Sequence, residues 1–352
     1  MSLTDTRILR LALGTTIAMA LAQAVGWPFA FIAPVFTAMF LAAPMPCPSR
    51  QVVTVLVASI LATGISGFAL TMTLLPYLLV YVGALALIYL RLFYQISGGT
   101  NPFMIVMILV GVTAIPVLGQ VSSNLALVFS IGFSFSGVVS IGLVLLAHGL
   151  LPDPEPPAAL PASPRRQSPP SPDERLRMAV ISTAVVAPVA LLFVYLELTG
   201  ELVTLIFIVT LSVKPEIAAG IEASKKNIAG AIVGGALSIG FYELLVIAPS
   251  FVFLILLTLG AMLVFGGQIF SGGPRAVLFA SSLSTFLIIV GGAIGSDDAE
   301  VGAKFYLRVL QIVLAGVYVV VAFSAIESLF VRRQRKNRAP YQNSSPNVVR
   351  MP

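Results

Sequence analysis

Residues 124–148 read NLALVFSIGFSFSGVVSIGLVLLAH, twenty-five positions without an Asp, Glu, Lys or Arg. As a helix this run is about 37 Å long, and roughly 20 apolar residues suffice to cross the hydrocarbon core of a bilayer. Within it Gly132, Ser136 and Ser140 form a stripe at four-residue spacing, which lets another helix approach closely in lipid. The same texture repeats on both sides. Five further apolar runs precede it, at about 8–25, 27–43, 52–73, 75–93 and 102–118. Six follow, at about 176–196, 198–213, 226–246, 249–266, 275–294 and 303–330.

Composition agrees with this reading. The 352 residues are 58% apolar and 10% charged, against about 45–50% and about 25% in soluble domains. The expected fold is therefore an all-α polytopic membrane protein with about 12 transmembrane helices in two parallel six-helix repeats. Residues 1–150 form the first repeat. Residues 151–174 hold nine prolines and read as an extended, solvated linker on the cytoplasmic side. Residues 175–331 form the second repeat, and 332–352 a basic, disordered cytoplasmic tail.

The two halves match at two places in the same order. Arg10-Leu-Ala-Leu-Gly-Thr-Thr faces Arg177-Met-Ala-Val-Ile-Ser-Thr, and Phe93-Tyr-Gln-Ile-Ser-Gly-Gly faces Gly267-Gln-Ile-Phe-Ser-Gly-Gly. Arg7 and Arg10, the following apolar run and Ala22-Gln23-Ala24 imitate a cleavable signal peptide. The counterpart at Arg177 argues against cleavage, since no signal peptide stands there.

With the N-terminus inside, eighteen of the twenty Lys and Arg fall in cytoplasmic loops and termini. Lys304 and Arg308 remain outside, with Glu197, Glu201, Glu243, Asp297, Asp298 and Glu300. That asymmetry orients the helices, places both termini in the cytoplasm and makes the halves parallel. The net charge of +6 thus reads as membrane orientation and not as a nucleic-acid footprint. Trp27 fits an outer interfacial belt.

Candidate sites follow from helix interruptions. Corresponding short or Pro/Gly-broken helices in two halves point to a transport site. The second segment of each half fits: Pro28 and Pro34 interrupt the first, and only twelve residues separate Glu201 from Lys214 in the other. Glu201 is either a proton-coupling carboxylate facing an internal cavity or a snorkelling surface group. The turns Ser97-Gly98-Gly99 and Ser271-Gly272-Gly273 lie between the fourth and fifth segments of their halves. Each precedes a helix N-terminus, opened by Pro102 and Pro274, where backbone N–H groups converge. Asn101 follows the first turn and Arg275 the second. Arg275 gains nothing from a helix N-terminus, so it reads as a capture point for an anionic substrate or as a topology anchor. Gly230 and Gly234 form a close-packing GxxxG, and Ser281, Ser284 and Thr285 a polar face on the eleventh segment.

One cysteine, Cys47, and one histidine, His148, leave no thiolate or His-rich metal cluster. No HExxH, nucleophile elbow or phosphate loop is present, so neither an enzyme nor a cofactor is expected, and ATP-driven transport would need a partner.

The pattern resembles the fusaric-acid-resistance-like superfamily of bacterial inner-membrane proteins, which includes the aromatic acid exporters. The resemblance rests on the Arg-led first helix and a short second helix ending in proline (Pro44 and Pro46; Pro215). It rests also on a basic start to a Gly-rich third helix (Ser49-Arg50 with Gly64 and Gly67; Lys225-Lys226 with Gly230, Gly234 and Gly235). It implies export of small organic acids across the inner membrane, often with a periplasmic adaptor protein. The chain departs from many relatives in having no large cytosolic domain after its first block, like a membrane-only branch. A major-facilitator-like transporter is the alternative, but the loop Pro44-Met-Pro-Cys-Pro-Ser-Arg-Gln51 lacks the Asp-Arg pair usual there. The leading expectation is a secondary exporter of small aromatic or anionic compounds, and the second a non-catalytic membrane subunit of an efflux assembly. Expected partners are the lipid bilayer, a small-molecule substrate, the adaptor, and a second copy of the chain as a homo-oligomer; nucleic acid is not among them.

Overall fold

The computed structural model describes residues 2–43, 45–154, 170–198, 202–213, 220–273 and 275–294. Nearer the C-terminus it describes 306–307, 310–311, 314–319 and 321–325. The described residues are helical, with no strand among them. In chain order the helices are α1 (Leu3–Val25), α2 (Ile32–Ala42), α3 (Arg50–Leu74), α4 (Leu78–Ser97), α5 (Pro102–Val121) and α6 (Ser123–Leu150). Then come α7 (Pro172–Tyr195), α8 (Leu202–Leu211), α9 (Gly220–Ile247), α10 (Phe251–Ile269) and α11 (Ala276–Ile294). A further apolar stretch is helical over Leu314–Ala325. Each of the twelve apolar runs thus holds a helix, and among the described residues eight helices are long and apolar enough to cross a membrane.

Local chemistry starts the helices where polar residues interrupt the runs. Ser2 and Asp5 close a reciprocal capping box at α1. Ser49 caps α3, Asn101 caps α5 with Pro102 in its first turn, and Ser171 caps α7 with Pro172 likewise. The first-half run expected to be helical from residue 27 begins later. Pro28 donates no hydrogen bond and Phe29 adopts a left-handed φ of 60°, so residues 27–31 form a turn and α2 starts at Ile32. Pro34 lies in its first turn, where no intrahelical donor is needed.

Helix pairing has a regular pattern. α3 packs on α5 and α9 on α11; α1 packs on α10 and α7 on α4; α2 packs on α11 and α8 on α5. Advancing both labels by six converts one member of each couple into the other. The tightest crossings are made by glycine. A Cβ on Gly67 would overlap the Gly111 carbonyl, and one on Gly111 the Thr63 carbonyl. In the other half Gly230 and Gly234 face Ser281, Ser282 and Thr285 of α11. The GxxxG and the polar face of α11 are therefore two sides of one seam.

One end of the bundle gathers the starts of α1, α3, α5, α7 and α11 with the ends of α2, α4, α6 and α10. The start of α1 touches the ends of α6 and α10, and the start of α7 touches the end of α4. Arg7, Arg10, Arg50, Arg175, Arg177 and Arg275 lie there, and we call it the basic end. The linker's 155–169, Lys214, Pro274 and the tail from 326 lie outside the described residues.

Candidate functional site

Two short helices mark the interior. α2, with 11 residues, and α8, with 10, are each about 15 Å long, half the thickness of a bilayer core. The α1–α2 turn locates the upper end of α2. Trp27 Nε1 donates to Ser136 Oγ at 2.8 Å. Ser136 lies midway along the 28-residue α6, about 20 Å from either end. Trp27 thus packs against the middle of α6, two residues past the end of α1. Ser140 Oγ donates to Ala33 O at 3.0 Å, and a Cβ on Gly132 would press on Pro28 O at 2.6 Å. The small-residue stripe of α6 seats this turn. The α7–α8 turn repeats the strain: Glu197 has a φ of 52°. Left-handed non-glycine residues at both turns cost of order 1 kcal/mol each or more and persist only when their surroundings hold them.

From the α1–α2 turn a column of phenylalanines descends to the basic end. Phe29 meets Phe129 edge-on at 4.7 Å, Phe129 lies 5.7 Å from Phe133, and Phe133 meets Phe36 at 5.4 Å. Phe36 stacks on Phe40 at 6.1 Å, and Phe40 reaches Phe103, in the first turn of α5, at 5.5 Å. Offset and edge-on contacts at these distances are the favoured aromatic geometries.

At its foot lies a cavity of about 230 Å³ between the α2–α3 loop, α3 and α6. Phe40, Pro46, Cys47, Leu56, Val144 and His148 are among the lining residues, and none of the lining residues is an Asp, Glu, Lys or Arg. His148 is 8% exposed. Its Nδ1 lies 2.8 Å from Val144 O. A carbonyl only accepts, so Nδ1 carries the proton. The Met45 backbone lies against the ring, and Nε2 is buried. Ser49 Oγ is occupied in capping α3, accepting from Val52 N.

Next to this cavity Arg10, 3% exposed, ties the start of α1 to the end of α6. Its Nη2 lies 2.6 Å from Leu151 O and 2.7 Å from Asp153 Oδ1, and its Nε 3.1 Å from Leu151 O. Buried charge is tolerated when paired and hydrogen-bonded in this way.

The residues singled out from sequence are spread over the basic end. Ser97 Oγ donates to Phe93 O, and Asn101 caps α5. Gly98 is the seat of Arg175, which stacks 4.4 Å above the Tyr94 ring with Nη2 3.4 Å from Tyr94 O. A Cβ on Gly98 would collide with that guanidinium, while Gly99 has open space and a left-handed φ of 83°. In the other turn Ser271 Oγ donates to Gln268 O and accepts from Gly273 N, Gly272 has a φ of 68°, and Arg275 is exposed. The two turns follow α4 and α10, which pack on α7 and α1 and not on each other, so each turn lies beside the first helix of the opposite half. Pro34 is buried in α2. Glu201 lies outside the described residues. Among the described residues no three His, Cys, Asp or Glu converge as metal ligands.

Sequence reading used His148 only to exclude metal clusters and passed over the phenylalanine column. The signal was available in part: Phe29, Phe36 and Phe40 share a face at seven- and four-residue spacing, as do Phe129 and Phe133.

Residues 7–147 match a family described as "Protein of unknown function (DUF2955)". The match begins in α1 and ends in α6, so it spans the first six helices and stops before the linker. No curated protein and no solved structure matches the chain.

Proposed function

We propose that this chain is a secondary transporter that exports small organic compounds, aromatic or anionic, across a bacterial inner membrane. Its twelve helices would cross the bilayer as two parallel six-helix repeats with both termini in the cytoplasm, and transport would proceed by rocking one repeat against the other.

The observation that carries the reading is the reciprocal pairing of helices. α2 lies on α11 and α8 on α5, so each half-length helix faces the fifth helix of the other half. Relative motion of the halves would shift these contacts first. Substrate sites of repeat-built transporters lie at such interfaces, next to interrupted helices. The family match over residues 7–147 supports the six-helix half as a unit. The basic residues gathered at one end agree with that end being cytoplasmic. Under this proposal Glu201 supplies coupling, Arg275 receives anions at the cytoplasmic mouth, and the two Ser-Gly-Gly turns with Asn101 and Pro34 frame the entrance. A periplasmic adaptor and a homo-oligomer remain partners of the proposal.

One observation favours a second reading, a non-catalytic subunit of an efflux assembly. Among the described residues, the only Lys, Arg, Asp or Glu counted as buried is Arg10, paired at the basic end. Reconstitution separates the two. The purified chain in liposomes should move radiolabelled small aromatic compounds down an imposed pH gradient, and Glu201→Gln should uncouple that flux. A chain that supports no flux alone but restores it to a purified assembly would favour the subunit.

A further inference from the structure

We infer that the outward face of α4, where it ends beside the start of α7, binds the headgroup of an anionic phospholipid from the leaflet at the basic end. Two arginines from two helices make the site. Arg175 reaches across from α7 and lies on α4, its guanidinium 4.4 Å above the Tyr94 ring and its Nη2 3.4 Å from Tyr94 O. Gly98 leaves the space it occupies. Arg91 of α4 is exposed. Tyr94 and Gly98 follow it by three and seven residues, which puts all three on one face of the helix. From Arg91 to Tyr94 the helix rises only about 4.5 Å, so one face carries two guanidinium groups close together.

Charge and apolar surface together select the ligand. Neither arginine has a carboxylate partner among the described residues. Asp173 and Glu174, just before Arg175 in the first turn of α7, are exposed and do not pair with it. Like charges held on one face repel, and an anion between them relieves that cost. Arginine forks match phosphate oxygens, and basic pockets between helices on the cytoplasmic side are the usual form of a headgroup site. Val80 and Leu87 share the face, eleven and four residues before Arg91, and are 57% and 67% exposed. An unpacked apolar strip about 16 Å long thus leads up to the arginines, and acyl chains cover it. Free phosphate would leave the strip bare, and a zwitterionic lipid would bring a cation to the arginines. The site rests on α4 and α7 crossing the bilayer and not on transport.

The test is native mass spectrometry of the purified, delipidated full-length protein in detergent, titrated with dioleoyl phosphatidylglycerol or dioleoyl phosphatidylcholine. The first phosphatidylglycerol should bind at least about tenfold tighter than the first phosphatidylcholine, as expected for one charge-assisted contact. Arg91→Gln should bring phosphatidylglycerol down to the level of phosphatidylcholine; the side chain is exposed and unpartnered, so the fold survives its loss. Gly98→Ala, which displaces Arg175 without removing a charge, should do the same. Arg50→Gln removes an equal charge at the start of α3 and should leave the preference intact, and glycerol phosphate should not compete. Equal affinity for the two lipids, or a preference unchanged in Arg91→Gln, overturns the assignment. An equal loss in Arg50→Gln does so too, since the basic end would then act as a diffuse charged surface. Competition by glycerol phosphate at lipid concentrations also overturns it, the ligand being then a soluble anion. Binding is read without flux, so its failure leaves the transporter reading standing, and absent flux in liposomes leaves the binding standing.

Discussion

Arg10 shows how much one side chain can do at the edge of an apolar slab. It is nearly enclosed, yet each of its contacts goes to residues just past the end of α6. It therefore fixes where the first six helices end and the linker begins. Removing one partner of a buried pair costs about 3 kcal/mol or more. Asp153→Ala should accordingly lower the thermal unfolding midpoint in detergent clearly, and Asp173→Ala, in the exposed first turn of α7, should leave it nearly unchanged. Equal midpoints would show that the pair contributes little. Gly98 makes a second residue-scale case. Its missing side chain is the space in which the Arg175 guanidinium lies over Tyr94. Gly98→Ala should release Arg175 and speed tryptic cleavage at that residue; an unchanged cleavage rate would mean that the seat does not hold it. Sequence showed both arginines as orienting charges, because charge is a property of the residue. Their partners lie 141 and 81 positions away, and nothing local announces them.

At the scale of elements, close approach through glycine separates structural seams from free faces. Gly111 of α5 meets the Thr63 backbone, and Gly234 of α9 the Ser282 carbonyl. A methyl group at either must push two helices apart, at about 2 kcal/mol by the usual cost of overpacking. Gly83 in α4 and Gly142 in α6 face open space, and alanine there should be neutral or stabilising by up to about 1 kcal/mol through helix propensity. Thermal midpoints of the four variants test this ordering; a destabilised Gly83→Ala or a tolerated Gly111→Ala would break it. The GxxxG of α9 was legible because its two members share a helix. The Gly67–Gly111 crossing was not, since each glycine is ordinary within its own helix. The shortened α2 was half legible. Its two prolines announced an interruption, but the left-handed Phe29 and the anchoring of Trp27 on Ser136 are tertiary outcomes.

At the scale of the whole molecule, the two halves are interleaved: α1 lies against α10, and α4 against α7. Apolar runs and the Pro-rich linker pointed to twelve helical segments, and each of the eleven named helices and the terminal stretch overlaps one of those runs, several extending a few residues past its ends. Which helices meet across the halves could not be read, because apolar faces in lipid look alike whether they touch protein or acyl chains. The cavity by His148 was hidden for a related reason: a lone histidine among leucines and valines carries no pattern.

Sidedness tests the account most directly. The native Cys47, and single cysteines placed in a Cys47→Ser background at residues 2, 122, 249 and 350, can be labelled with a membrane-impermeant maleimide in intact cells and in inverted vesicles. Labelling of 122 and 249 only in cells, and of 2, 47 and 350 only in inverted vesicles, is the predicted result. Labelling of residues 2 and 350 from opposite faces would contradict two parallel six-helix halves.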